Sequence, residues 1–373
     1  MTENSTAAPD DAISPDDDGT LIWAGCYTED SGGHGAGIGA ITTRQDGSLV
    51  WLGTAVDAAS PSFLAVHPSL PVVYAVAEAA RTVRAYRRTG TSGLEPFGEA
   101  WPAGAAACHV AVDPSGRFIV VACWGDGQVL LYEIDDDGGI TSRFAAEPAT
   151  DPYAGLDGAV DIASGGARTS RAHASLMLDD DRIMTTDLGF DVVRVWNYSP
   201  SGGLRLDHEV ALPLACGPRH LVQHPSGAVF VVTEYSIEVA VLVRGADNRF
   251  AGGNNFALAS HGPATLGGAL PGDAAAEITL SPDARFTYVG VRGSNRISVL
   301  AVEDGGTTLR PLADVSSGGE WPRHHLVRKG WLHVANERSQ HVTTFVLDPE
   351  TGVPGEVHGQ LKMGSPTALV LAL

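Results

Sequence analysis

The chain has 373 residues, 44 acidic against 24 basic side chains and a formal net charge of −20, which excludes nucleic acid and anionic membrane surfaces as partners because they carry the same sign. A hydrophobic content of 44% is enough for a sizeable core, while 45 glycines, 22 prolines and only 7% aromatics imply many short elements joined by tight turns, an all-β composition rather than a helical bundle. No run reaches the roughly 18 apolar residues of a membrane span, and the first twenty residues lack the basic start and apolar middle of a secretory signal.

A cytoplasmic protein follows as the expectation. Cys26, Cys108, Cys123 and Cys216 lie far apart without metal-ligand spacing, so they read as buried thiols in a reducing compartment. Residues 1–19, with Asp10-Asp11 and Asp16-Asp17-Asp18, read as a disordered acidic tail. Residues 20–373 read as a single domain.

In chain order, apolar runs at 21–27, 37–42 and 49–54 come first, and then one unit recurs. Ser60-Pro61-Ser62-Phe63-Leu64-Ala65-Val66-His67-Pro68 runs into Val72-Val73-Tyr74-Ala75-Val76-Ala77-Glu78. Ala107-Cys108-His109 opens the next copy, which turns at Asp113-Pro114-Ser115-Gly116. Further copies start at Arg171-Ala172-His173, at Cys216-Gly217-Pro218-Arg219-His220, at Ala276-Glu277-Ile278 and at Trp321-Pro322-Arg323-His324. Each continues into a third apolar run, and a fourth strand fits the variable linker.

The starts near 60, 107, 171, 217, 276 and 321 are 47, 64, 46, 59 and 45 residues apart, against roughly 40 to 50 for a four-stranded propeller blade. The two long spacings place insertions near 146–170 and 249–273, both polar enough to read as surface loops. Ser365-Pro366-Thr367-Ala368-Leu369-Val370-Leu371 is the first strand of a seventh copy, completed by the three N-terminal runs. The fold expected is a seven-bladed β-propeller closed by terminal strands sharing one blade, which leaves no open seam. A six-bladed ring or a pair of β-sandwiches is the competing arrangement.

In a propeller the first strand of each blade lines the axis, so equivalent positions meet around one opening. The entrance positions are His109, His173, Arg219, His220, Glu277, Arg323 and His324; the second strands end at Glu78, Cys123, Asp187, Glu234, Arg292 and Glu337. Plain structural roles compete: a histidine can cap a neighbouring blade, and an axial arginine can pair with a carboxylate because a lone buried charge is costly. The Asp-Pro-Ser-Gly and His-Pro-Ser-Gly segments are turn chemistry. Nucleophile-elbow, phosphate-loop and zinc-protease motifs are missing, and His, Arg and Glu together suit proton transfer and oxyanion stabilisation without metal or cofactor.

Gly217-Pro218-Arg219-His220 through Glu234, Arg171-Ala172-His173, Val112-Asp113-Pro114-Ser115-Gly116-Arg117-Phe118 with Gly125-Asp126-Gly127, and Trp321-Pro322-Arg323-His324 together resemble the lactonase family of seven-bladed propellers, which includes 6-phosphogluconolactonases and carboxymuconate-lactonising enzymes. The resemblance spans nearly all of 21–373. It implies a catalytic set of His173, Arg219, Glu234 and Arg292; Arg323, His324, His220, His109 and Glu337 are the substrate-binding candidates that the repeat positions add. Cys123-Trp124 stands where the family commonly has Asn-Tyr, and Glu337 where Gln is frequent. The implied activity is hydrolysis of a small-molecule lactone, foremost 6-phosphoglucono-1,5-lactone, by a monomer or weak homo-oligomer. Lactone formation from an unsaturated dicarboxylate and a non-catalytic binding scaffold are the alternatives.

Overall fold

The computed structural model describes residues 17–245 and 253–373. Its strands form seven four-stranded antiparallel sheets arranged as a ring, and the one helical element among the described residues is a 3-10 turn at Glu29–Ser31. Blades one to six take their strands in chain order from the axis outward, beginning with Pro61–Val66, Ala107–Val112, Ala172–Met177, Pro218–Gln223, Ala274–Leu280 and Pro322–Arg328. In blade seven the innermost strand is the C-terminal Pro366–Leu371, paired antiparallel with Asp17–Cys26, so that Trp23 faces Val370 and Ala24 faces Leu369. The expected closure is therefore present, and it satisfies the backbone edge of the N-terminal strand inside the ring.

Most of the acidic tail, residues 1–16, lies outside the described residues, and the first strand already begins at Asp17. No helix among the described residues is long and apolar enough to cross a membrane.

The second strand of each blade is covered on both faces by neighbouring blades, which explains why these segments are continuous apolar runs rather than alternating ones. Phe118–Cys123 and Val229–Thr233 are buried at every position, whereas the outer strand Ile140–Ala145 alternates between half-buried and exposed. The core lies between blades: Tyr74 and Val76 of blade one pack on Ile119, Val121 and Tyr132 of blade two. Buried tyrosines need partners for their hydroxyls. Tyr74 donates to the Gly138 carbonyl at 2.8 Å, and Tyr288 does the same to Gly352 at 3.0 Å, each reaching the outer turn of the next blade.

The described parts of both insertions are largely exposed, as expected of surface loops, but each is pinned by buried charge. The segment 146–170 runs from the outer strand of blade two to the entrance of blade three, and it buries charge rather than shedding it. Arg168 is almost fully covered and bridges Asp151 at 3.0 Å and Asp191 at 2.9 Å, while Asp161, also buried, receives Arg171 at 3.2 Å. A paired charge can be buried where a single one cannot. In the second insertion 249–252 lie outside the described residues. Phe256–Pro263 is the outer strand of blade four, and the remainder is anchored where Arg296 meets Asp273 at 2.6 Å.

Candidate active site

All seven inner strands carry a register irregularity close to their first residue. Pairing skips Ser62 in blade one, Cys108 in blade two and the His173-Ala174 step in blade three. It skips the Arg219-His220 step in blade four, Ala276-Glu277 in blade five, Arg323 in blade six and Thr367 in blade seven. A bulge inserts residues that the neighbouring strand does not match and re-aims their side chains. Seven of these residues, Ser62, Cys108, His173, Arg219, His220, Arg323 and Thr367, line one axial cavity together with Tyr27, Phe63 and Glu78.

The approach to these bulges is locally encoded. Pro61, Pro218, Pro322 and Pro366 each begin an inner strand, a position where the missing N–H is tolerated. The residue before each has a left-handed backbone: Ser60 at φ 34°, Gly217 at 68°, Trp321 at 65° and Ser365 at 40°. At Gly217 glycine is required twice over, since a Cβ there would also stand 2.6 Å from the Tyr235 ring. Its N–H donates to Asp191 at 2.8 Å, the same carboxylate that pairs with Arg168, so the first insertion supports the turn leading into Arg219.

Charge in the site is balanced locally. Glu234 lies 2.9 Å from Arg219 Nε and 2.9 Å from Arg292 Nη2. The Arg219 hydrogen does not point along that line, so this contact is ionic rather than a hydrogen bond. Nη1 of the same guanidinium is buried without a hydrogen-bond partner among the described residues. Arg292 also donates to the carbonyls of Ala274 and Ala275 at 3.2 and 3.0 Å and lies over the Trp321 ring, 5.5 Å from its centroid. Arg323 pairs with Glu337 at 2.9 Å and donates to the Tyr27 hydroxyl.

Proton affinities follow from this packing. Burial, and next the charge of Arg219, hold His173 well below the ordinary imidazole range. Burial and the neighbouring Arg292 bring Arg219 down to about 10, although Glu234 pulls the other way. For Glu234 burial acts upward, but Arg292 and Arg219 outweigh it and keep the carboxyl below its usual value. At neutral pH the site therefore presents a neutral His173, a charged Arg219 and an ionised Glu234.

Of the residues singled out in the sequence, His173, Arg219, His220 and Arg323 reach the cavity wall, while Glu234, Arg292 and Glu337 stand one contact behind as partners of the arginines. His109 and His324 pack in the axial core around Phe63, with ring centroids 4.2 and 5.7 Å away. Their nitrogens are used there: His109 Nδ1 accepts from the Ser175 N–H at 3.3 Å and His324 Nδ1 from the Leu369 N–H at 3.3 Å. Glu277 faces His220 at 2.7 Å.

Tyr27, Ser62, Cys108 and Thr367 are lining residues that the sequence reading left out of the site, and Glu78, read there only as a strand end, lines it too. A signal for them existed. Tyr27, Glu78, Glu234 and Glu337 each immediately follow the second strand of a blade, and Ser62, Arg219, Arg323 and Thr367 each follow the proline that opens an inner strand. The cavity offers about 20 Å³ to water-sized groups within about 300 Å³ of empty space that includes its open mouth. Its deep part therefore admits a carbonyl oxygen or a water.

The family described as Lactonase, 7-bladed beta-propeller, matches residues 21–371. The chain belongs to this lactonase family. It is 27% identical over 308 residues to the 6-phosphogluconolactonase of Bacillus subtilis, covering 79% of this chain and 82% of that one. A 6-phosphogluconolactonase of Formosa agariphila is 26% identical over 271 residues, with 70% and 72% covered. Among solved structures, the periplasmic gluconolactonase of Pseudomonas aeruginosa superimposes with a TM-score of 0.82 at 22% identity, covering 95% of this chain and 99% of that one. At that identity the likeness speaks for the lactonase fold alone.

Proposed function

We propose that the chain opens 6-phosphoglucono-1,5-lactone to 6-phosphogluconate by hydrolysis, in the cytoplasm and as part of the pentose phosphate route. The observation that carries lactone hydrolysis is the convergence of two uncommitted buried groups, Arg219 Nη1 and the His173 ring, on one small cavity. Opening a lactone requires a proton acceptor for the attacking water, a donor to the tetrahedral oxyanion and a proton for the departing alkoxide.

Neutral His173 takes the proton from water and returns it to the alkoxide. Arg219 donates to the oxyanion, and Glu234 with Arg292 holds that guanidinium in place. Glu234 is the weaker base of the two candidates because two arginines already occupy its charge. Arg323, less enclosed than Arg219, is positioned to meet the phosphate at the mouth. General acid-base assistance of roughly 10²- to 10⁴-fold is sufficient for a lactone that also opens on its own.

Lactone formation from an unsaturated dicarboxylate fits less well, because such a substrate brings its carboxylates against Glu78, Glu234 and Glu337. The decisive measurement is turnover of 6-phosphogluconolactone and gluconolactone by purified protein, corrected for spontaneous opening. Acceleration that falls at least about 100-fold in Arg219→Met is expected. No acceleration by the wild-type protein would overturn the reading.

A further inference from the structure

Opposite Arg219 and His173, the cavity wall supplied by blades seven and one carries polar atoms that nothing on the protein satisfies. Ser62 Oγ, Thr367 Oγ1 and Glu78 Oε2 are all buried without hydrogen-bond partners among the described residues, and all three residues line the cavity. Such atoms are rare in folded proteins and need an explanation. They come from three chain segments, an inner-strand bulge in each of two blades and the residue after Ala77, so no local turn accounts for them.

Their chemistry is specific. Two hydroxyls can each donate and accept, and a carboxylate accepts only, which is the complement of vicinal hydroxyl groups. The three atoms do not suit a phosphate or carboxylate, because Glu78 brings a carboxyl group of its own and the two hydroxyls bring no compensating charge. Tyr27, whose hydroxyl lies close to Glu78 and receives Arg323, stands beside the carboxylate and leaves Oε2 for a ligand.

We propose that Ser62, Glu78 and Thr367, with Tyr27 as positioning residue, form a hydroxyl-binding subsite that makes this enzyme select polyhydroxylated lactones over unsubstituted ones. The assignment rests on the lactone-hydrolysis reading. A lactone without ring hydroxyls leaves all three groups buried and unpaired, and a site built to bond a hydroxyl discriminates strongly against the analogue that lacks it.

The test compares kcat/KM for glucono-1,5-lactone with that for δ-valerolactone, the same six-membered ring without hydroxyls. Glu78→Gln keeps the side-chain size and removes the charge, and it should lower the ratio of the two values about tenfold, the weight of one hydrogen bond to a charged group. Thr367→Val, nearly isosteric, should lower the ratio about fivefold. Because the readout is a ratio within one protein, partial loss of folded material does not move it. A ratio within twofold of wild type in both variants overturns the subsite, whether both activities fall together or neither changes. A wild-type protein that accelerates neither lactone overturns the underlying activity instead, so the two failures are told apart.

Discussion

Replacing Glu234 with Gln removes the counter-charge that two arginines share. Arg219 and Arg292 are 4% and 6% exposed, each has a nitrogen 2.9 Å from Oε2 of Glu234, and their mutual repulsion already contributes to the lowered proton affinity of Arg219. Breaking a buried pair by deleting one partner costs about 3–5 kcal/mol, and here the deletion leaves two cations facing each other. The expected loss is therefore at least about 3 kcal/mol, read as a lower urea midpoint at unchanged m-value. Turnover should fall at least about tenfold as the Arg219 guanidinium loses its support.

The double variant Glu234→Gln with Arg292→Met separates the two effects. Removing the second cation should restore more than half of the lost stability, because the remaining guanidinium no longer faces a like charge, while turnover stays low. A single variant within about 1 kcal/mol of wild type, or a double variant no more stable than the single one, would refute the view of Glu234 as the shared counter-ion.

Four further outcomes are expected. Burial lowers His324, His325 and His333 from 6.5 to about 4; the unfolded chain therefore takes up protons first, and their stabilisation is complete above pH 6.5 and is lost as pH falls toward 4. A fall of about 2.5 in pKa at about 1.36 kcal/mol each gives roughly 3 kcal/mol per side chain by pH 4, so urea midpoints should drop between pH 7 and 5, and an unchanged midpoint would count against it. With His173 held neutral, lactone turnover should be flat from pH 8 to 6.5, and an activity limb centred at or above 6.5 would exclude neutral His173 as the base. Deleting 366–373 removes the innermost strand of blade seven and bares the edge of Asp17–Cys26, so soluble folded protein should be lost; a deletion retaining the wild-type melt would contradict ring closure. Burial raises Cys26 and Cys123 to about 11 and about 12, and no thiol should react with Ellman's reagent within minutes until denaturant exposes four.

The repeat of Pro-Ser-Gly turns and paired apolar runs is a local property, because each blade is one antiparallel unit and its second strand must be apolar on both faces; the ring of seven followed from counting. Ser365-Pro366-Thr367 at one end and three strands at the other could be joined on paper, since an unpaired edge has to go somewhere. Placing His173, Arg219, Glu234 and Arg292 at one end of the axis needed only equivalence of position.

Which neighbour at each entrance looks into the cavity was another matter. Arg219 with His220, and Arg323 with His324, are adjacent pairs whose outlook depends on where the inner-strand bulge falls, and a shift of one residue turns a strand over. Periodicity carries no record of that shift. The ionic partners were equally hidden: Glu234 sits between arginines from its own blade and the next, 15 and 58 positions away, and Arg168 becomes buried through carboxylates contributed by two different segments. Composition and spacing determined the kind of molecule, since they act through contacts close in the chain. The orientation and charge state of individual site groups were decided only when seven sheets met, because those properties depend on distances between distant segments.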